Sequence, residues 1–423
     1  MPSLAGNFGV LREPNYRRLF FGWTVSLVGD GMAPVAIAFA ILDLTGSATD
    51  LGIVLAAHSL LITALVLVGG VFADRISPRL AMLRADLVRM AAMGIIAALL
   101  IAGVAEIWQL AILYAIEGAA TAFFIPASNA IVPAIVATPR LQEANALLNL
   151  SSSLGRLAGP ALAGILLALG SPGTALAADA ATFAVSAFFL LRLRVPRIPP
   201  VGEPAFFTEL RRGWSEFSSR SWLWTVVASA AFTNAIFFPA FQVLGPTVAD
   251  ESLGGSSGYA LIAAALGLGS LIGGGLALTL RPRRPLLVGE GLLICIGLPI
   301  ALLALPAVPV AIAFGALVTG VALSLAEIFY ETAAAQHIPR EALSRVAAYD
   351  WFGSLALQPI GLLLVGPLAA GIGIPTTLWL AAAAITICQA TVLCVPSVRR
   401  LPAGPPADAT AVLQATRPIE PGD

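Results

Sequence analysis

Residues 70–79 read GVFADRISPR, a polar stretch bearing Asp74, Arg75 and Arg79 between two long apolar runs. Three formal charges in ten residues do not sit in an apolar interior without partners, so the flanks decide what the stretch is. On either side the apolar run approaches the roughly 20 residues that a helix rising 1.5 Å per residue needs to cross a hydrocarbon core of about 30 Å. The stretch therefore reads as an aqueous turn between two membrane-spanning helices, and the chain as an all-α membrane protein.

Working outward, the same pattern recurs to both ends. The chain has 423 residues, 58% hydrophobic and 11% charged, whereas soluble domains carry about a quarter charged residues. Counting runs of spanning length gives twelve spans. Six lie at about 19–42, 51–72, 80–104, 108–132, 145–169 and 174–193. Six more lie at about 221–244, 258–280, 286–304, 308–330, 346–369 and 374–396. This predicts a six-helix half over 1–193, a cytoplasmic linker over 194–220, a second six-helix half over 221–397 and a disordered tail over 398–423. The linker is proline-rich and then reads as a short amphipathic helix along the interface. The first fifteen residues show no cleavable signal pattern.

All 23 basic residues are arginine. A Walker A loop requires lysine to hold nucleotide phosphates, and lysine Schiff-base chemistry is excluded with it. Arginines such as Arg18, Arg79, Arg140, Arg192, Arg284 and Arg399 fall in one alternating set of loops; the other set carries Asp43, Asp50, Glu106, Asp250 and Glu251. The positive-inside rule then places both termini in the cytoplasm. Formal net charge is zero, and nothing suggests a nucleic-acid partner. Cys295, Cys388, Cys394, His58 and His337 stand isolated, without the spacing of a metal site. Neither metal nor cofactor is expected.

An internal repeat divides the chain. At a shift of 204, GGVFADRISPRLAML (69–83) lies over GGGLALTLRPRRPLL (273–287) without a gap; Asp30 then faces Asn234, and Asp86 faces Glu290. Pro139-Arg140 falls on Pro339-Arg340 at a shift of 200. Duplicated halves of this kind place a substrate site near the midplane where they meet and work by rocking.

The opening stretch now has an address, the turn between spans two and three. There Gly70, Asp74, Arg75 and Arg79 resemble the G-x-x-x-D-R-x-G-R-R/K signature of the major facilitator superfamily. Ser77 and Pro78 depart from it, and Leu278 replaces the acid in the second half. Span five contains GRLAGPALAG, with Gly155, Arg156, Gly159, Pro160 and Gly164, which resembles the glycine-proline motif of drug/proton antiporters. Three longer stretches are similar to the exporter branch that holds macrolide-efflux and enterobactin-exporter proteins: SLVGDGMAPVAIAFAILDLTGSA, RLQEANALLNLSSSLGRLAGPALAG and QPIGLLLVGPLA. The resemblance implies two pseudo-symmetric six-helix halves, with spans 1, 4, 7 and 10 around a central cavity and spans 2, 5, 8 and 11 between the halves. It also implies a cytoplasmic latch, Asp74 facing the start of span eleven, where a helix N-terminus favours a carboxylate.

Ionisable groups within spans are costly and each needs a reason. Asp30 lies midway along span one between Gly29 and Gly31, with Pro34 a turn later; this predicts a weakened helix exposing carbonyls beside a carboxylate. Asp30 is a candidate for proton or substrate binding, the alternative being a structural hydrogen bond to another span. Glu117 in span four is a second candidate. Asn234 and Glu327 are cavity candidates in the second half. Arg156 is the expected neutralising partner for Asp30 or Glu117. Asp179 reads as structural, and Asp86 with Arg89 as an ordinary i,i+3 pair. Phe123, Phe124, Phe237, Phe238 and Phe241 are either packing residues or an apolar wall for amphipathic cargo.

The expected function is secondary active export of a lipophilic or amphipathic organic compound, coupled to protons, by a monomer in a bacterial cytoplasmic membrane. A siderophore exporter and an uptake carrier are the alternatives of the same fold. An intramembrane aspartyl protease is set aside: Tyr349-Asp350 and Gly29-Asp30 stand in the wrong order, and Leu27 occupies a required glycine position.

Overall fold

Long helices dominate a chain whose computed structural model describes residues 9–75, 77–195, 213–305 and 308–404. The side chains of residues 67–75, 138, 340, 341, 344 and 345 lie outside the described set. The latch reading of Gly70, Asp74 and Arg75 therefore falls outside it, as do the linker residues 196–212 and the tail from 405 onward.

The first half comprises α1 (Pro14–Thr45), α2 (Ala48–Arg75), α3 (Pro78–Ile101), α4 (Ile107–Ile135), α5 (Leu141–Leu169) and α6 (Pro172–Leu191). The second comprises α7 (Ser221–Ser252), α8 (Ser256–Ala277), α9 (Pro285–Leu303), α10 (Pro309–His337), α11 (Val346–Ile372) and α12 (Ile374–Val392). Eleven of these are long and apolar enough to cross a membrane. The exception is α3, with 24 residues, which is long enough but carries Arg79, Arg84, Asp86 and Arg89. Two of those charges are turned inward: Asp86 is fully buried and Arg89 is 2% exposed. Average apolarity therefore understates how well this helix fits among its neighbours.

Proline opens several helices, as at Pro14, Pro78, Pro172, Pro285 and Pro309, where its missing N–H costs nothing. Inside α7, a π-helical turn at Ala240–Leu244 follows Pro239, which cannot donate the regular helical bond. A 3-10 turn at Leu293–Ile296 interrupts α9. By contrast α1 is continuous through Gly29, Gly31 and Pro34, so the weakened helix expected there is absent. The glycines serve close approach instead: a Cβ on Gly159 of α5 would come within 2.5 Å of Gly31.

The halves meet along two seams, α2 against α11 and α5 against α8. One apolar core, including Phe39, Leu51, Phe241, Tyr259 and Leu362, runs through both halves at the end away from the termini. Phe39 and Tyr259 meet across the divide with ring centroids 6.3 Å apart. At the terminal end the buried apolar residues form two separate cores, one around Tyr16, Phe124 and Leu190 and one around Trp222, Leu286 and Val398. The molecule is thus joined at one end and divided at the other. Many large apolar side chains, Leu60, Ile101, Trp108, Leu169 and Phe314 among them, are exposed, as lipid-facing surface requires.

Candidate functional site

Five helices of the first half bring ionisable side chains together around Arg89. From α3, its guanidinium reaches Asp30 of α1 through Nη2, Asp86 of its own helix through Nη1 at 3.3 Å, and Glu117 of α4 through Nε at 3.1 Å. A planar fork with five N–H donors suits one cation to several carboxylates in a way that an ammonium would not. The cation also lies over two aromatic faces, 4.1 Å from the Phe183 ring centroid and 5.0 Å from that of Phe124. Such faces attract a desolvated cation.

Glu117 is the second node. Its Oε2 meets His58 Nε2 of α2 at 2.7 Å, and its Oε1 accepts from Thr121 Oγ1 at 2.8 Å. The imidazole is held flat on Tyr114, with centroids 4.1 Å apart and planes 13° from parallel. The residue after Glu117 is glycine for a reason, since a Cβ on Gly118 would run into the His58 backbone. On α6, Asp179 is fully buried beside this group. Of the three carboxylates paired with Arg89, Asp30 is the most open: its side chain is 34% exposed, against 7% for Glu117 and 0% for Asp86.

The candidates named from sequence are distributed unevenly around this cluster. Asp30 and Glu117 belong to it. Arg156 does not: its side chain is exposed and donates to Ser152 Oγ at 3.4 Å, so the neutralising cation is Arg89. The i,i+3 pair of Asp86 and Arg89 exists, but as one arm of a larger network. His58, read as isolated, is bonded to an acid 59 residues away. Asn234 donates through Nδ2 to the Ser354 carbonyl at 3.0 Å, within the second half. Glu327 is exposed on α10.

The remaining motif residues do packing work. Arg79 donates through Nε and Nη2 to the Leu190 and Leu191 carbonyls at 2.7 and 2.6 Å. It caps the C-terminus of α6, where carbonyls lack helical partners and a cation is favoured. In α5, Gly155 packs on the Leu27 carbonyl of α1, Gly159 on Gly31, and Gly164 on Ala260 of α8; Pro160 is buried within a continuous helix. The glycine-proline motif is thus the seam that joins α1, α5 and the second half. Phe124, Phe237 and Phe241 are buried, and Phe237 stacks on Phe241 with centroids 5.5 Å apart. Those three are core; Phe123 and Phe238 are half-buried.

The second half does not repeat the cluster. At the shift that aligns the halves, Asp30 corresponds to Asn234, Asp86 to Glu290 and Arg89 to Leu293. Glu290 is buried, 5% exposed, and makes no ion pair among the described residues.

Comparison with known proteins agrees with this architecture. Residues 19–361 match the Major Facilitator Superfamily. The chain is 29% identical over 391 residues to the multidrug efflux pump Tap of Mycolicibacterium fortuitum, covering 86% of this chain and 91% of that one. It is 24% identical to macrolide efflux protein A of Streptococcus pyogenes, a match covering 60% of this chain and less than two thirds, 64%, of the relative's own length. The fold is similar to that of a bacterial homologue of the human lysosomal transporter Spinster in an inward-facing, unoccupied conformation, with TM-score 0.72 at 16% identity over 91% of this chain and 96% of that one. With twelve long helices in two halves among the described residues and a family match over most of its length, this multi-pass membrane protein is a transporter rather than an enzyme, and it belongs to the major facilitator superfamily.

Proposed function

We propose that the protein exports a lipophilic or amphipathic organic compound, a drug or a secondary metabolite, by proton antiport and alternating access. The observation that carries the reading is the cluster on Arg89, a set of exchangeable acids held in one half of a transport fold. Exchange with protons needs groups that are shielded yet reachable, and Asp30, a third open, meets both conditions better than the sealed Asp86. The names of the efflux relatives support the direction of transport. Siderophore export has less support, because an anionic cargo needs free cavity cations; Arg89 is already bound by three carboxylates.

The arginine-rich loops support cytoplasmic termini, and the divided end of the molecule is then the cytoplasmic one. On that orientation the conformation is inward-facing, in a bacterial cytoplasmic membrane. Asp74 would act as a latch at that end, closing against the start of span eleven when the inside shuts.

Reconstituted vesicles with an imposed pH gradient, and ethidium as a fluorescent lipophilic cation, test the reading. The parent protein is expected to move ethidium against its gradient. Asp30→Asn, which imitates a permanently protonated carboxyl, should abolish uphill movement while downhill exchange continues. Uphill movement by Asp30→Asn at the parental rate would remove Asp30 from the coupling role, and Glu117→Gln would then be expected to show the loss.

A further inference from the structure

Asp179 is a carboxyl that the Arg89 network leaves unanswered. It sits on α6, fully buried, and neither side-chain oxygen has a hydrogen-bond partner. Thr182, a turn further on, gives its single hydroxyl proton to the main-chain carbonyl of Asp179 at 2.7 Å, so toward the carboxyl its oxygen serves only as an acceptor, for a proton carried by Asp179. The carboxyl points at the backbone of α1, where a Cβ on Gly29 would collide with Asp179 Oδ1. The next residue along α1 is Asp30, the most exposed of the carboxylates paired with Arg89.

The charges in this space do not balance if every acid is ionised. The acids are Asp30 on α1, Asp86 on α3, Glu117 on α4 and Asp179 on α6. Facing them are Arg89 on α3 and, when protonated, His58 on α2, with the phenol of Tyr114 from α4. From α5, Arg156 points away and is exposed. Four acids against at most two cations would leave two uncompensated negative charges in a water-poor helix core, which proteins avoid by neutralising the group. Arg89 reaches Asp30, Asp86 and Glu117 but not Asp179.

We propose that Asp179 is a proton-binding site of the transport cycle, occupied in this conformation and emptied in the other; this deepens the proton-antiport reading and rests on it. Release begins with the Asp179 O–H bond breaking as an O–H bond forms on Asp30. Arg89, losing the Asp30 carboxylate as partner, turns to the carboxylate newly left at Asp179. Asp30 then gives the proton to water on its open side. The cluster has lost one proton, and the guanidinium has changed partners.

Infrared spectroscopy on the full chain in lipid nanodiscs, labelled with aspartate carrying carbon-13 in the carboxyl, reads the proton directly and needs no cargo. A protonated-carboxyl band that shifts with the label is expected in the parent, survives in Asp30→Asn and Asp86→Asn, and disappears in Asp179→Asn. Absence of that band from the parent, or its persistence in Asp179→Asn, overturns the proposal. In vesicles, Asp179→Asn should exchange ethidium downhill yet lose accumulation driven by the pH gradient; accumulation like the parent's also overturns it. Should Asp179→Asn fail to fold, loss of the band in Asp30→Asn or Asp86→Asn would assign the proton elsewhere and sink the idea. If the parent itself accumulates nothing under a pH gradient, proton antiport fails, while the infrared result still decides whether Asp179 holds a proton.

Discussion

Arg89 spreads one guanidinium over carboxylates from three helices, and the geometry of its planar fork is what the cluster depends on. Removing one member of a buried ion network leaves uncompensated charge and costs about 3–5 kcal/mol. Arg89→Ala should therefore lower the melting temperature in detergent sharply. Arg89→Lys keeps the charge but not the fork, and should melt between the two while failing in transport; an Ala variant as stable as the parent would show that the acids do not need the cation. Much of this site was hidden from sequence reasoning, and the cause is the same in each case. Asp30 and Glu117 stand out because a carboxylate in an apolar run is anomalous. Arg89 did not, because Asp86 three residues away offered a sufficient local partner. His58 read as isolated because Glu117 is 59 residues distant. Linear spacing records neighbours on one helix and is blind to which faces of five helices converge.

At the scale of helices, apolar runs and charged turns made the spans legible almost without help, because the bilayer fixes their length. Local irregularity was harder to read. Two glycines and a proline predicted weakening in α1, yet the helix runs unbroken; the glycines answer to α5 and α6, which approach from outside the span's own sequence. Gly31→Val should accordingly push α1 from α5. Overpacking of this kind costs about 1–3 kcal/mol, visible as a lower melting temperature. Arg79→Ala, which frees the last carbonyls of α6, should cost about 1 kcal/mol. Leu278→Ala is the control: that side chain is 82% exposed, and its replacement should leave stability unchanged.

Taken whole, the molecule is one body at one end and two at the other, and its predictions concern which end opens. Cysteines introduced at Ser47 and Ser256 should react with an impermeant maleimide applied to intact cells, and one at Ser77 only after permeabilisation; the reverse pattern would invert the orientation. At the joined end a Cβ on Gly366 of α11 would come within 2.5 Å of the Thr49 backbone of α2. Gly366→Val should wedge that seam and shift the population toward an outward opening, read as longer spin-label distances between α2 and α11 at that end. Unchanged distances would show that the seam does not set the equilibrium.

Among the described residues, every ion pair around Arg89 joins residues between Asp30 and Glu117, and Asp179 too precedes the connection to the second half. The cluster is therefore inheritable as a piece. A hybrid that grafts the closing six helices of a distant exporter onto these opening six would carry the whole arrangement across intact, without a severed bond. What such a hybrid recognises could then be exchanged separately from what drives it, as a motor is refitted to a new gearbox.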